Sequence, residues 1–386
     1  MHPCDRLHLA SMKIVQVELF QIKWPLLSPF ETSFGVSYDK EAILAKVTSA
    51  DGVVGWGEFA GDGPGYSYET LQTGWHIARD YLIPLSFKAP FEKPTDAPER
   101  FAWVRGHNIC KAMLEACLWD IGAQMAGLSL RDYIGKISGH TGLKDRLAVG
   151  VSIGIQPTTE ALVERVLRYR ADGYHRIKIK IKPGRDLQDA RAARAAIPGV
   201  PLMVDANSAY SLHDIDMLRQ MDDLDLLMIE QPLACDDIYE HHKLQRELKT
   251  RICLDESIHG PGDARFALEL GACKIINIKQ GRVGGVTKAL AIHDIAMQAG
   301  APVWKGGMLE TGIGRALNVA LAALPNFSLP SDLSASNRYF HEDLIEPGFA
   351  LDHDNMLPVP TGLGLGVTIH EERLRKATVR SEVFKA

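Results

Sequence analysis

The sequence predicts an α/β protein: a (β/α)₈-type barrel with an α+β capping domain formed by the N-terminal third and the C-terminal tail. Two observations predict the barrel: a strand that carries lysines along one face, and charged residues that recur at a fixed spacing. The chain has 386 residues, of which 46% are hydrophobic. That is enough to fill the core of a barrel and of a second domain.

The strand is residues 176–182, in which isoleucines alternate with arginine and lysines. A period of two is typical of a β-strand and places the three isoleucines on one face and the four cations on the other. In a closed parallel barrel the isoleucines can pack on the outer helices, while lysines near the strand end point into a polar site.

Charged residues end successive apolar runs at intervals of 25, 25, 25 and 24 positions, namely Lys180, Asp205, Glu230, Asp255 and Lys279. A strand of about five residues, a helix of about eleven and two short loops fill each interval. Each charged residue therefore stands at the carboxyl end of a strand, the face on which a barrel builds its active site.

The remaining elements follow in chain order. The first barrel strand is expected at 147–154 and the seventh near 302–310, whereas the pattern for an eighth near 327–333 is less clear. Upstream, the expected elements are strands at 13–24 and 42–58, loops at 27–35 and 60–66, and helices at 67–83, 94–105 and 108–127.

These elements predict three domain segments. The capping domain is expected over residues 1–140, of which 1–11 form a loose extension, and the catalytic barrel over 141–340. Residues 341–386 are expected to return to the capping domain.

Composition excludes several classes of function. The net charge of −5 offers no basic surface for nucleic acid, and no apolar run approaches the length of a membrane span. The first residues lack the apolar stretch of a signal peptide, and the six cysteines form no close pair. We expect a cytoplasmic protein with reduced thiols and no nucleic-acid or membrane partner.

Asp205, Glu230 and Asp255 end three successive strands and should converge at one rim. Three carboxylates at one place repel each other unless a cation neutralises them. Oxygen ligands without histidine or cysteine favour Mg²⁺, with Mn²⁺ as a substitute. The alternative is that each acid caps the helix that follows it, but three acids at a fixed spacing between two lysines make this the weaker interpretation.

Lys180 and Lys279 flank the three acids and should face each other across a substrate. A free lysine has a pKa of about 10.4 and is a poor base at neutral pH. The neighbouring Lys178, a bound dication and partial burial should lower the pKa of Lys180. The resulting positive mouth suits a small carboxylate, and the chemistry expected is removal of the proton α to that carboxylate, giving an enediolate. Lysine bases that work beside Mg²⁺ are well known from enolase-type sites.

The whole chain from about Met12 resembles the enolase superfamily, muconate-lactonizing subgroup. The motifs that carry the resemblance are Lys178-Ile-Lys180, Val204-Asp-Ala-Asn207, Ile229-Glu-Gln-Pro232, Leu254-Asp-Glu-Ser257 and Asn277-Ile-Lys279. Within the subgroup, residues 306–314 and 331–336 are similar to the o-succinylbenzoate synthase/N-succinylamino acid racemase family.

This resemblance implies roles for single residues. Asp205, Glu230 and Asp255 would bind Mg²⁺, Lys180 and Lys279 would form the acid/base pair, and Lys178 would support Lys180. The substrate would contact Ser152, Asn207, Gly307, Met308 and Leu309, under a cover formed by the loops at 27–35 and 60–66.

The implied activity is o-succinylbenzoate synthesis for menaquinone, racemisation of N-succinyl amino acids, or both, on a succinyl-bearing substrate by a homo-oligomer. Other activities of the subgroup, cycloisomerase or dipeptide epimerase, remain alternatives, as does a non-catalytic metabolite-binding barrel. Two departures from the family pattern are Lys305, where cysteine is frequent, and Gln280, where proline is usual. Lys305 is expected to add a charge near the acyl pocket.

Overall fold

The structure is a computed structural model that describes residues 11–33, 35–61 and 63–386. Residues 1–10 of the expected N-terminal extension lie outside the described residues, as do single positions, 34 and 62, within the two expected loops.

The barrel contains a seven-stranded parallel sheet in which the strands follow one another in chain order. Its strands are β5 (Gly150–Ile153), β6 (Arg176–Lys180), β7 (Leu202–Asp205), β8 (Ile229–Glu230), β9 (Ile252–Leu254), β10 (Ile275–Ile278) and β11 (Val303–Lys305). Lys180 pairs with Asp205, and Asp205 pairs with Glu230, so these charged residues lie side by side at the carboxyl ends of their strands.

An irregular segment closes the barrel where the sequence pattern for an eighth strand is unclear. Ser331 forms an isolated parallel bridge with Val149. The Ser331 carbonyl accepts from the Gly150 amide at 2.8 Å, and the Asp332 amide donates to the Lys305 carbonyl at 2.9 Å. The segment therefore fills the gap between β11 and β5 through a few backbone bonds instead of a regular strand.

Helices surround the sheet. The barrel helices are α6 (Thr159–Ala171), α7 (Asp186–Ala196), α8 (Ile215–Gln220), α9 (Ile238–Glu247), α10 (Pro261–Leu270), α11 (Gln280–Val283), α12 (Val286–Gln298) and α13 (Gly312–Ala322). Ile177, Ile179 and Ile181 are buried in the main apolar core, as the alternation in residues 176–182 predicts. On the opposite side of β6, Lys178 Nζ lies 4.9 Å from the ring centre of Trp304.

The capping domain is built on a four-stranded antiparallel sheet. In their order across the sheet, its strands are β15 (Thr378–Lys385), β1 (Ile14–Thr32), β2 (Gly35–Ser49) and β3 (Val54–Phe59). β15, which comes from the C-terminal segment, pairs antiparallel with β1.

The N-terminal third also contains helices. They are α1 (Leu71–Ile77), α2 (Ile83–Phe87), α3 (Ala97–Arg100), α4 (Asn108–Met125) and α5 (Leu130–Ser138), with a π-helical turn between α1 and α2. Of these helices, α1, α2 and α4 contact this sheet. Nearly every residue of α4 is buried. The C-terminal region adds α14 (Glu371–Ala377) and two-residue strands at Arg146–Leu147 (β4), Ile345–Glu346 (β12), Leu357–Pro358 (β13) and Thr368–Ile369 (β14).

The predicted loop at 27–35 is wrong. β1 continues to Thr32 and β2 begins at Gly35, so the described residues of this stretch form the end of a long hairpin in which Phe30 pairs with Ser37. The pairing is interrupted between Pro25 and Phe30. Proline and glycine are typical of loops, but pairing of residues 30–32 with β2 makes this end of the stretch a strand. The described residues of 60–66 form neither helix nor strand and include a turn at 64–66, so the loop predicted there is confirmed.

The fold class predicted from the sequence is confirmed by this architecture. In the described part of the chain, no helix combines the length and the apolar character required to cross a membrane. The described cysteines are free, and four of the five are buried.

Candidate active site

A cavity of about 240 Å³ opens at the carboxyl ends of the barrel strands. The barrel contributes Ser152, Lys178, Lys180, Asn207, Lys279, Gly307, Met308, Leu309, Asp332 and Tyr339 to its lining. The capping domain contributes Phe30, Thr32, Gly35, Val36 and Ser37 from the β1–β2 hairpin, and Pro64, Gly65 and Tyr66 from the turn that follows β3. All three lysines and all five substrate-contacting residues expected from the sequence thus line one space between the two domains.

Two lysines lie within hydrogen-bond distance of carboxylates at the ends of neighbouring strands. Lys180 Nζ lies 2.6 Å from Asp205 Oδ2 and also 2.6 Å from Asn207 Oδ1. Lys279, directly after β10, places Nζ 2.9 Å from Asp255 Oδ2. Each lysine is therefore held by one of the three acids that the sequence analysis singled out.

Lys178 lies deeper, among three carboxylates. Its Nζ is 3.2 Å from Asp205 Oδ2, 3.0 Å from Glu230 Oε2 and 2.6 Å from Asp332 Oδ2. Burial lowers the pKa of Lys178, but these three carboxylates raise it by more, so the ammonium form is stabilised.

The pKa of Lys279 is also raised in this arrangement. Burial lowers this pKa, but Tyr66 and the carboxylates of Glu256 and Glu230 raise it by more. Tyr66 and these two carboxylates therefore stabilise the ammonium form of Lys279.

The three acids are almost completely buried: 1% of Asp205 and none of Glu230 or Asp255 is exposed. Burial raises the pKa of Asp205, but the adjacent Lys180 and Lys178 lower it by more, and the net pKa lies below the usual value. The pKa of Glu230 is raised, first by burial and then by the charge of Asp205. The charges of Asp205 and Glu230 therefore interact at the ends of neighbouring strands.

The donor set fits a hard divalent cation. Besides the three acids, Glu256 lies in the same cluster: burial and the charge of Asp205 raise its pKa. Its Oε2 is a buried oxygen without a hydrogen-bond partner among the described residues. Carboxylate oxygens are ligands that Mg²⁺ prefers.

Sequence reasoning missed Tyr66, Arg282, Asp332 and Glu256 as parts of this site. Arg282 forms an ion pair with Asp255 and donates to the Tyr66 hydroxyl at 3.2 Å, and it stands one helical turn after Lys279. Asp332 also pairs with Arg176 at 2.6 Å. Three of these residues had a signal in the sequence. Glu256 directly follows Asp255, Arg282 stands one helical turn after Lys279, and Asp332 lies in the motif at 331–336.

Lys305 does not line the cavity. It is completely buried, and its Nζ donates to the Gly306 carbonyl at 2.8 Å. Because side chains alternate along β11, Lys305 points away from the side that carries Trp304 and the active-site lysines. Its charge therefore lies behind the cavity wall, not within the acyl pocket.

Two groups of described residues bring three metal-binding atoms within 4.8 Å of one another: His140, His293 and Asp294, and residues 352–354. The carboxylates of Asp205, Glu230 and Asp255 are more widely spaced than this. In the first group, His293 Nε2 must accept from the Asn326 amide, so the proton lies on Nδ1, 2.9 Å from Asp294. A metal on Nδ1 would require Nε2 to carry that proton and would break the bond to Asn326. This group is therefore a hydrogen-bonded link and not a metal centre.

Comparisons with known proteins assign the family. Residues 14–135 match the family described as "Mandelate racemase / muconate lactonizing enzyme, N-terminal domain", and residues 161–373 match "Enolase C-terminal domain-like". The chain belongs to the enolase superfamily. The resemblance seen in the sequence motifs is thereby confirmed.

Full-length relatives place this enolase-superfamily chain in the o-succinylbenzoate synthase/N-succinylamino acid racemase family. It is 48% identical to an o-succinylbenzoate synthase of Geobacillus kaustophilus, covering 97% of this chain and 98% of that protein. It is 41% identical to an N-succinylamino acid racemase of Thermus thermophilus, covering 97% and 100%.

A solved enolase-superfamily structure from Listeria innocua has a TM-score of 0.91 at 41% identity, covering 97% of this chain and 99% of that one. Enzymes of the superfamily generally use Mg²⁺, which agrees with the oxygen donors at the barrel mouth.

Proposed function

We propose that this protein removes the proton α to a carboxylate and acts as an o-succinylbenzoate synthase, an N-succinylamino acid racemase, or both. The observation that carries the proposal is the placement of Lys180 and Lys279 in one cavity, each hydrogen-bonded to an acid of a buried carboxylate cluster. The names of full-length relatives at 41–48% identity support the same two activities.

Asp205, Glu230 and Asp255 are the proposed Mg²⁺ ligands, with Mn²⁺ as a substitute. When bound, the ion supplies positive charge that offsets the negative charge developing on the substrate carboxylate. Binding would also give the acids a new counter-charge and weaken their hold on the lysines. The pKa of Lys279 would then fall toward the range in which a lysine can act as a base.

Lys180 and Lys279 are the proposed acid/base pair. In the synthase reaction, Lys180 takes the α-proton and, as the ammonium, returns a proton to the departing β-hydroxyl, which leaves as water. In the racemase reaction, one lysine removes the α-proton and the other returns a proton to the opposite face. Lys178 supports this arrangement by holding Asp205 and Glu230 in place, and its raised pKa suits a permanent cation rather than a base.

The remaining lining residues are proposed to bind a small, succinyl-bearing carboxylate. Ser152 and Asn207 offer polar side chains, whereas Gly307, Met308 and Leu309 form one wall. The hairpin end and the turn at 63–66 cover the opening, where they exclude water from the enediolate.

The test is steady-state kinetics on the synthase substrate and on several N-succinyl amino acids side by side, with and without EDTA. We expect turnover of at least one of the two substrate classes and its loss on chelation, restored by Mg²⁺. Full activity in chelated protein would reject the metal assignment, and no turnover of either class would reject the proposed function.

A further inference from the structure

One wall of the cavity is formed by main chain, and we call residues 306–309 the wall segment. A β-carbon at Gly306 would clash with Asn277 Oδ1 and lie 2.6 Å from Lys279 Cε, and one at Gly307 would lie 2.6 Å from the Asp332 carbonyl. The backbone thus runs directly against the catalytic lysine. Displacing it by a few tenths of an ångström would change the shape of the cavity.

Two buried lysines, one from each domain, hold carbonyl oxygens of this wall segment. Lys305 of β11 donates to the Gly306 carbonyl at 2.8 Å, and Lys40 of β2 donates to the Met308 carbonyl, also at 2.8 Å. Lys305 is completely buried and Lys40 is 2% exposed. Charge-assisted bonds of this kind, away from water, are stronger than ordinary backbone bonds.

Other contacts fix the segment between these two lysines. The Met308 amide donates to Glu310 Oε2 at 2.8 Å, and the Met308 side chain lies in the apolar core of the capping domain. Leu309 has a φ of 52°, which a branched residue adopts only when its surroundings hold it there. The wall is therefore positioned from both domains at once.

We infer that Lys305 and Lys40 are positioning residues that determine substrate specificity, because they set where the wall segment lies against the acyl group. This inference rests on the proposed function and extends it. Neither lysine is assigned to the proton-transfer chemistry. Lys305 acts through the Gly306 carbonyl, and Lys40 acts through the Met308 carbonyl.

The charges around Lys305 indicate that its bond responds to pH. Burial lowers its pKa to about 7, Glu310 and Asp332 act to raise it, and Lys279 and Arg282 act to lower it. The ammonium form bonds the Gly306 carbonyl more strongly than the neutral amine does. Control over the wall should therefore be greatest below this pKa and weaken as the pH rises through it.

The test compares racemisation of N-succinyl and N-acetyl derivatives of one amino acid by the Mg²⁺-loaded enzyme. In Lys305→Met we expect the KM for the N-succinyl substrate to rise about tenfold, with little change in kcat, so that the preference for the longer acyl group falls. The wild-type preference should decline as the pH rises through about 7, whereas the variant's should not. Lys40→Met should shift the same preference, and Lys305→Gln, which keeps a donor, should restore part of it.

The matched control is Lys274→Met, which removes an exposed lysine just before β10. A second readout, amide hydrogen exchange in residues 306–310 without substrate, is independent of turnover. Faster exchange is expected in Lys305→Met and Lys40→Met but not in Lys274→Met. If the wild type turned over no substrate, the proposed function would be rejected. The exchange rates would still test whether the two lysines hold the wall segment in place.

Unchanged acyl preference together with unchanged exchange would overturn the inference. An equal fall in kcat for both substrates, with KM unchanged, would also overturn the inference. If Lys305→Met does not fold, Lys305→Gln and Lys40→Met decide the question by the same two readouts.

Discussion

At the residue scale, the candidate site is a set of buried charges that neutralise one another. Lys178 bridges Asp205 and Glu230, and Lys279 pairs with Asp255. Removing one member of such a set leaves its partner buried without a counter-charge, which is costly. Single substitutions in this cluster should therefore have large and specific effects.

Replacing Asp255 by Asn tests the proposed metal site. The change removes one anionic ligand and leaves Lys279 and Arg282 without their shared carboxylate. We expect Mg²⁺ affinity and turnover to fall by more than about 100-fold, since even partners outside the ligand shell are worth 10–100-fold. Calorimetric titration measures the Mg²⁺ affinity, and steady-state kinetics measure the turnover. Asp263→Asn, at a side chain that is 42% exposed, is the control and should behave as the wild type. Wild-type Mg²⁺ affinity in Asp255→Asn would show that this carboxylate is not a ligand.

Replacing Lys279 or Lys180 by Ala tests whether each lysine serves one face of the α-carbon. The remaining lysine in each variant can still remove and return the proton of one enantiomer without inverting it. We expect both variants to lose racemisation, while each still exchanges the α-proton of a single enantiomer, with opposite preferences. Proton NMR of each N-succinyl amino acid enantiomer in D₂O measures this. Continued racemisation by either variant, or exchange of both enantiomers by one variant, would contradict the two-base assignment.

At the element scale, the β1–β2 hairpin carries capping-domain residues over the barrel mouth. The Leu27 amide donates to the Tyr339 carbonyl at 2.8 Å, and Lys182 pairs with Glu31 at 3.1 Å. Both contacts join the hairpin to the barrel. The turn at 63–66 lies beside it, with Tyr66 4.6 Å from Lys279 measured from the ring centre to Nζ.

We predict that the hairpin end and the turn at 63–66 become more ordered when ligand binds. The hairpin end is irregularly paired and its lining side chains face a cavity rather than a packed core. Adding 2-succinylbenzoate with Mg²⁺ should therefore slow amide hydrogen exchange in residues 30–37 and 63–66 by about tenfold or more. The amides of β10, inside the barrel sheet, are the internal control and should change little. Equal exchange rates with and without ligand in both segments would count against a lid function.

At the scale of the whole molecule, buried polar side chains join the capping domain to the barrel. Glu58 of β3 accepts from the Thr311 hydroxyl at 2.7 Å and from the Gly314 amide at 3.0 Å. Glu115 of α4 accepts from the Thr287 amide at 3.0 Å. Burial raises the pKa of each carboxyl to about 7. Domain association is therefore linked to proton binding near neutral pH.

Replacing Glu115 by Gln tests this linkage. The pKa of Glu115 is raised from 4.5 to about 7, so the folded state holds a proton that the unfolded state releases above pH 4.5. This group therefore destabilises the fold progressively as the pH rises from 4.5 to about 7, and fully above that range. Gln resembles the protonated form, and we expect Glu115→Gln to raise the free energy of unfolding by about 1–2 kcal/mol at pH 8 and by almost nothing at pH 4.

Urea unfolding at the two pH values measures this difference. Glu99→Gln, at an exposed position of α3, is the matched control and should change stability at neither pH. A gain of the same size at pH 4 and pH 8 would show that the titration of Glu115 is not its source.

The sequence by itself determined the barrel and the residues that meet at its mouth. Each unit of one parallel strand, one helix and two loops contains a nearly constant number of residues. A repeat of 24–25 residues therefore shows which side chains stand at the ends of neighbouring strands. Lys180, Asp205, Glu230, Asp255 and Lys279 could be placed together for this reason. The alternation in residues 176–182 likewise fixed which face of β6 is apolar.

Only the tertiary structure decided features that depend on contacts between distant segments. The stretch at 27–35 became part of a hairpin through pairing with β2, and Lys305 came to lie behind the wall segment because of the direction of its strand. The raised pKa of Lys279 arises from Tyr66, Glu256 and Glu230, which come from three other parts of the chain. Local periodicity reports the length and faces of single elements, whereas burial and charge balance are set by neighbours far away in sequence.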